Sequence, residues 1–203
     1  MVVLDWAGYV PFDPGIEGAL RDAARDAAQD HFARLMAARP ERRRQLEALW
    51  KRAAGGDSRP RCAMSGPAAA DGGPAGGIAL DAAGPAAVGG WLADALGAEG
   101  AAALTGPDAA LWTGLVADVA LWLGERTIGA SHGRLRWELL TAPKKATGYQ
   151  RPVLVGFTSV ADPRYYVDVA HLVASWADLA ARRRPGLRRD FLATIEATIL
   201  RDA

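Results

Sequence analysis

Cysteine is almost missing from this 203-residue sequence, with Cys62 the single example. A lone thiol cannot form an internal disulfide and falls short of any cysteine-based metal site, so a disulfide-framed secreted module is excluded. An excess of charge is lacking too. The 24 Lys and Arg face 23 Asp and Glu, a net of +1, which argues against a general nucleic-acid binder, whose domain is usually strongly basic. No apolar run is long enough to cross a bilayer. The longest, Leu111–Leu123, contains Asp118 and falls short of the about 20 residues required. The first ten residues have neither a basic region nor a long apolar stretch, so they do not read as a signal peptide, and a soluble cytoplasmic protein is expected. Glycine and proline are plentiful (23 and 12) but follow no Gly-X-Y period, which excludes collagen.

The length suits one domain, or one domain with an appended helical piece, and can bury a real core. Residues 1–15 are turn-rich, with Pro11, Pro14 and Gly15. From Ile16, apolar residues recur at spacings of three and four (Leu20, Ala23, Ala27, His31, Leu35), which predicts a helix that Arg39-Pro40 ends. A second helix follows from Glu41 to Ala53, and the tight join predicts an antiparallel helical hairpin. Residues 55–90 hold ten Gly, ten Ala and four Pro. With so little apolar bulk to offset ordering entropy, residues 55–84 are expected to form a flexible linker between a segment at 1–54 and a core domain at 85–203.

Within that core, a short helix is expected around Pro85–Leu96 and a central one over Pro107–Ile128, whose apolar residues cover most of its circumference. Leu135-Arg136-Trp137-Glu138-Leu139 alternates apolar and charged, the period of a half-exposed strand, and Val153–Phe157 is a short run of strand formers. Helices carrying Val169–Ala180 and Leu187–Leu200 close the chain. The fold class is α+β, predominantly helical, with a small antiparallel sheet whose strands lie near 135–140 and 153–158.

Three motifs bear on chemistry. Gly129-Ala130-Ser131-His132-Gly133 matches the G-x-S-x-G pattern, with Asp168 and His171 following in the right chain order. A nucleophile elbow needs a strand before its serine and a helix after it; here the order is reversed, so a helix stop and turn is the favoured reading. Asp118 and Glu125, seven apart, share a helix face, and such carboxylates do acid–base work when their environments separate their pKa values. An outward polar stripe is the favoured reading, and a partner for the basic loop at 144–151 is a third possibility. His31, His132 and His171 stand singly, without metal-ligand spacing, and His31 reads as a hydrogen-bonded core residue. No phosphate-cradling loop is present, and neither a metal nor a cofactor is expected.

Charge is uneven along the chain. Residues 81–125 carry Asp81, Asp94, Glu99, Asp108, Asp118 and Glu125 and no Lys or Arg, whereas residues 134–151 carry five cations against Glu138, and 182–189 adds five arginines. Complementary packing between these segments is the favoured explanation. The most distinctive stretch is residues 137–153, WELLTAPKKATGYQRPV, which sets cations beside aromatics in a loop bounded by strands. Trp137, Lys144, Lys145, Tyr149, Gln150 and Arg151 are its candidate binding residues, because such groups grip carboxylate, phosphate or a peptide strand.

The pattern LGE…RWE…KK…YQRPV over residues 118–157 resembles a family of uncharacterised bacterial proteins. The resemblance implies a small bacterial α+β domain and carries no activity, cofactor or catalytic residue. The function expected from the residues is therefore non-catalytic: a binding or accessory protein that engages a protein partner through the basic-aromatic loop, with nucleic acid and membrane not expected as partners and self-association left open. The rival is a small hydrolase using Ser131 or the Asp118/Glu125 pair. A third reading is weak nucleic-acid contact through Arg182–Arg189 and the 144–151 loop.

Overall fold

The computed structural model describes residues 4–55 and 79–203. Most of the expected linker falls at 56–78, outside the described residues. The elements are α1 (Arg25–Gly55), α2 (Leu80–Glu99), α3 (Ala102–Thr105), α4 (Ala109–Ala130), β1 (Arg136–Leu139), β2 (Pro152–Val155), α5 (Val169–Ala181) and α6 (Phe191–Asp202). The chain is α+β and predominantly helical, and β1 pairs antiparallel with β2 in the register Arg136 opposite Val155 and Glu138 opposite Val153. Among the described residues no helix is long and apolar enough to cross a membrane.

The first helix corrects the hairpin expectation twice. It starts at Arg25 rather than Ile16, because Gly15 and Gly18 take positive φ and Leu20–Asp22 forms only a short 3-10 turn. It also runs straight through Pro40 for 31 residues. A proline cannot donate to the carbonyl four residues earlier, which normally breaks a helix. Here that carbonyl belongs to Met36, and the Arg39 guanidinium donates to it instead, Nε to O at 2.9 Å. The missing backbone bond is replaced by a side chain, and Leu46, Leu49 and Trp50 keep the second half of α1 anchored in the core.

The helix expected from Pro85 begins five residues earlier, at Leu80, and is kinked at Gly84-Pro85. Leu80 is fully buried and Asp81 is held from two sides: it accepts from the Trp122 indole at 2.9 Å and pairs with Arg43 of α1. These tertiary contacts extend the helix into sequence that is poor in apolar bulk. The last helix is shorter than expected: residues 187–190 lie outside it, and α6 starts at Phe191.

Helix α4 is the hub. It packs against α1, α3, α5 and α6, while α2 packs against α5 and α6 and β2 lies on α5. Trp112, Leu115, Val119, Trp122 and Leu123 of α4 are all buried and meet Leu92 and Leu96 of α2, Val173 and Trp176 of α5, and Ile195 and Ile199 of α6 in one core cluster. The N-terminal residues join the same cluster through Leu4 and Tyr9, with the Trp6 ring edge-on to Trp112 at 5.1 Å between centroids. Trp122 is 2% exposed. Trp122→Ala is expected to cost about 3–5 kcal/mol in a denaturant melt, as large aromatic truncations in cores do; a loss below about 1 kcal/mol would contradict its place at the hub.

Candidate functional site

The turn after α4 settles the geometry of Ser131. Its hydroxyl is buried, donates to the Ile128 carbonyl at 2.8 Å and accepts from the Leu135 amide at 3.2 Å. His132 and Gly133 then take positive φ and turn the chain into β1. Ser131 is a helix stop, with both hydroxyl functions spent on backbone. Asp168 caps α5 by accepting from the His171 backbone amide at 2.8 Å, so these two residues meet as a helix cap and not as a base and its orienting acid.

Asp118 and Glu125 line one groove between α1 and α4 together with Arg39, Arg43 and Trp122, yet each is taken by a different arginine. Arg42 grips Asp118 with two bonds, Nε to Oδ1 at 2.8 Å and Nη2 to Oδ2 at 2.5 Å, and Tyr9 donates its hydroxyl to Oδ2 at 2.6 Å. All three side chains are buried. Glu125 accepts from Arg39 at 2.8 Å and from the Trp137 indole at 2.6 Å. The cations that meet these carboxylates come from α1, not from the 144–151 loop. The remaining Nη1 of Arg42 donates to the Val10 carbonyl at 2.5 Å, so the cluster pins the N-terminal segment across α1 and α4.

Burial sets the protonation behaviour of this cluster. It raises the Asp118 carboxyl above its ordinary range, against the opposing pull of the Arg42 and Tyr9 hydrogen bonds. Burial, and then the adjacent Asp118 charge, push the Tyr9 phenol far above its usual value. Asp81 behaves differently: burial raises it, but the Trp122 indole and the Arg43 pair outweigh that and leave it below the usual carboxylate range.

The basic-aromatic loop is closed by two backbone bonds, Leu140 N to Arg151 O and Gln150 N to Leu140 O. Of its six candidate residues, the structure commits three to the fold. Trp137 faces α4, with its ring so close over Gly124 that a Cβ there would lie 2.1 Å from it. Gln150 is buried at positive φ, and its amide donates to the carbonyls of Leu20 and Ala23, both at 2.9 Å, tying the loop to the 3-10 turn. Arg151 pairs with buried Asp168 at 3.1 Å. Tyr149 is half-buried, and Lys144 and Lys145 are exposed, with no ion pair among the described residues.

Beside this loop lies a groove of about 600 Å³ over the outer face of the sheet. Its walls include Arg136 and Glu138 of β1, the loop residues Thr141–Pro143, and Phe157, Arg164, Tyr165 and Tyr166. Phe157 and Tyr165 meet edge to face at 4.9 Å, and the Tyr166 ring lies against Gly148, which joins the groove to the loop. Arg164, Tyr165 and Tyr166 were not among the sequence candidates. The signal was present in Asp162-Pro163-Arg164-Tyr165-Tyr166, a run of a cation and two aromatics directly after a turn.

No protein-family model, curated protein or solved structure matches this chain. Its chemistry is therefore read from the side chains alone. Among the described residues no three His, Cys, Asp or Glu side chains converge as a metal site. The arginine-rich stretch is largely occupied: Arg182 binds Asp178, Arg183 the Gly97 carbonyl, Arg188 Asp190, and Arg189 Asp94 with two bonds at 2.5 Å. That last pair realises the packing between the acidic and basic segments that the charge pattern suggested, whereas Asp81, Asp118 and Glu125 are met instead by Arg43, Arg42 and Arg39 of α1.

The raised Tyr9 phenol gives a pH test with a definite sign. The unfolded chain ionises this tyrosine near pH 10 while the folded protein keeps it protonated, so stability is lost progressively above about pH 10. Phenolate absorbance of wild type and Tyr9→Phe is expected to coincide until alkaline unfolding. A folded-state titration near pH 10 that Tyr9→Phe removes would contradict the buried hydrogen bond to Asp118.

Proposed function

We propose that this protein is a non-catalytic binding or accessory protein that engages an acidic segment of a protein partner at the groove over β1 and β2. The observation that carries the reading is a contrast in how charge is used. The groups that hydrolysis would need, Ser131, Asp118, Glu125 and Asp168, are all held by hydrogen bonds or arginines. Arg136 on the groove wall pairs with Glu138, but Arg164 on that wall, and Lys144 and Lys145 directly after its wall residue Pro143, are exposed, and their side chains have no hydrogen bond or ion pair among the described residues. Exposed cations next to Phe157, Tyr165 and Tyr166 suit a segment that offers carboxylates to the lysines and arginine and apolar groups to the rings.

Exposed, unpaired cations add little to folding, so their use lies in what they meet. A kinship of residues 118–157 with uncharacterised bacterial proteins, and a bacterial cytoplasmic setting, are part of the same proposal. Trp137, Gln150 and Arg151 enter it as the supports that shape the loop.

A fluorescein-labelled peptide rich in Glu and Tyr supplies the test, read by anisotropy. Lys144→Ala/Lys145→Ala/Arg164→Ala is expected to weaken binding by about tenfold or more, with the melting temperature nearly unchanged. Raising salt should have the same effect, because exposed charges are screened over about 8–10 Å at physiological ionic strength. Arg151→Ala should instead lower the melting temperature, since it strands the buried Asp168. Equal peptide binding by the triple variant would sink the proposal, as would a hydrolytic activity abolished by Ser131→Ala.

A further inference from the structure

A second concavity opens on another part of the molecule, between α3, the first half of α4, and α5. It holds about 240 Å³ and is walled by Leu104, Trp112, Val116, Ala174 and Ala177. The alanines of α5 stand where larger residues would have filled the space against α4. The volume lies below the roughly 300–1,000 Å³ of sites for drug-sized ligands, so an occupant must be small.

Two charged side chains reach this cleft, Arg151 and Asp178. Asp178 is occupied: Arg182 donates to both of its oxygens, at 3.0 and 2.8 Å. Arg151 is only partly used. One Nη1 contact to Asp168 at 3.1 Å is the only side-chain interaction it makes among the described residues, and its side chain remains 31% exposed. A guanidinium carries five N–H donors, and a single carboxylate contact leaves several of them open. Asp168 is in turn fixed at the start of α5 by the His171 amide, so its contact holds Arg151 on the cleft wall. A mainly apolar cleft with a guanidinium on its wall is complementary to a small molecule with an apolar body and one carboxylate.

We infer that this cleft binds a small apolar monocarboxylate of the size class of a medium-chain fatty acid, with its carboxylate on Arg151 and its body against Leu104, Trp112 and Val116. Asp168 acts as a positioning residue for Arg151. The site is separate from the groove over the sheet, and the failure of either reading leaves the other standing.

Octanoate is the probe and octanol its uncharged control, followed by the indole N–H resonance of Trp112, which is assigned among the seven tryptophans by its loss in Trp112→Phe. Octanoate is expected to shift this resonance in a saturable way and to bind about tenfold or more tightly than octanol. Arg151→Gln should remove that preference. Because Arg151→Gln also strands Asp168, a second variant is needed: Ala174→Leu, at an exposed position on the cleft wall, should abolish binding with the fold intact. Octanol binding as tightly as octanoate would overturn the assignment of Arg151. Octanoate binding unchanged in Ala174→Leu, or no saturable shift in the wild type up to about 10 mM, would overturn the site itself.

Discussion

The buried contact among Arg42, Asp118 and Tyr9 constrains everything built around it. Helix α4 is apolar on nearly all sides, and Asp118 puts a charge in its middle at 4% exposure. A carboxylate there is tolerable only if its hydrogen-bonding capacity is met, and α1 meets it with a two-bond guanidinium while the N-terminal segment adds a phenol. That requirement fixes how α1 crosses α4 and where the chain before α1 must lie. Arg39 and Arg43 repeat the pattern at the edges, binding Glu125 and Asp81, so one face of α1 reads as a row of arginines matched to the acidic stretch of 81–125.

This seam divides the molecule's charge into two kinds. Charges between helices are spent on each other and on carbonyls, which removes them from chemistry. On the sheet side Arg136 pairs with Glu138 and Arg151 with Asp168, while Arg164 on the aromatic groove over β1 and β2, and Lys144 and Lys145 in the loop beside it, are left to solvent. The proposed binding role rests on where unspent functional groups remain, whereas Ser131, Asp118, Glu125 and Asp168 are held by hydrogen bonds or arginines.

Periodicity made much of the fold legible. The alternation in Leu135–Leu139 and the strand formers of 153–157 place the two strands within a residue or two, and the all-round apolar pattern of α4 marks it as central. What could not be read locally was decided by partners distant in sequence. Pro40 looks like a helix end until Arg39 supplies the lost bond at Met36. Leu80 looks like linker until Trp122 and Arg43 reach Asp81. The site divides in the same way. Lys144 and Lys145 were legible as exposed cations because exposure in a polar loop needs no partner, whereas Trp137 and Gln150 carry binding chemistry that Glu125 and the Leu20 and Ala23 carbonyls have already claimed, and Arg151 is tied in part by Asp168. Composition announces which groups a chain possesses; only the tertiary structure assigns them.

The claim that α4's buried charge serves the fold is tested most directly by a double-mutant cycle between Arg42 and Asp118. Wild type, Arg42→Met, Asp118→Leu and the double variant would be compared by denaturant unfolding. Each single change leaves a charged group buried without its partner, and the double change leaves neither, so the cycle isolates the pair. The account predicts a coupling energy of about 2–3 kcal/mol, with the double variant no less stable than the worse single one. A coupling below about 0.5 kcal/mol would mean that the two side chains do not depend on each other, and the seam would lose its place as the constraint on which the fold rests.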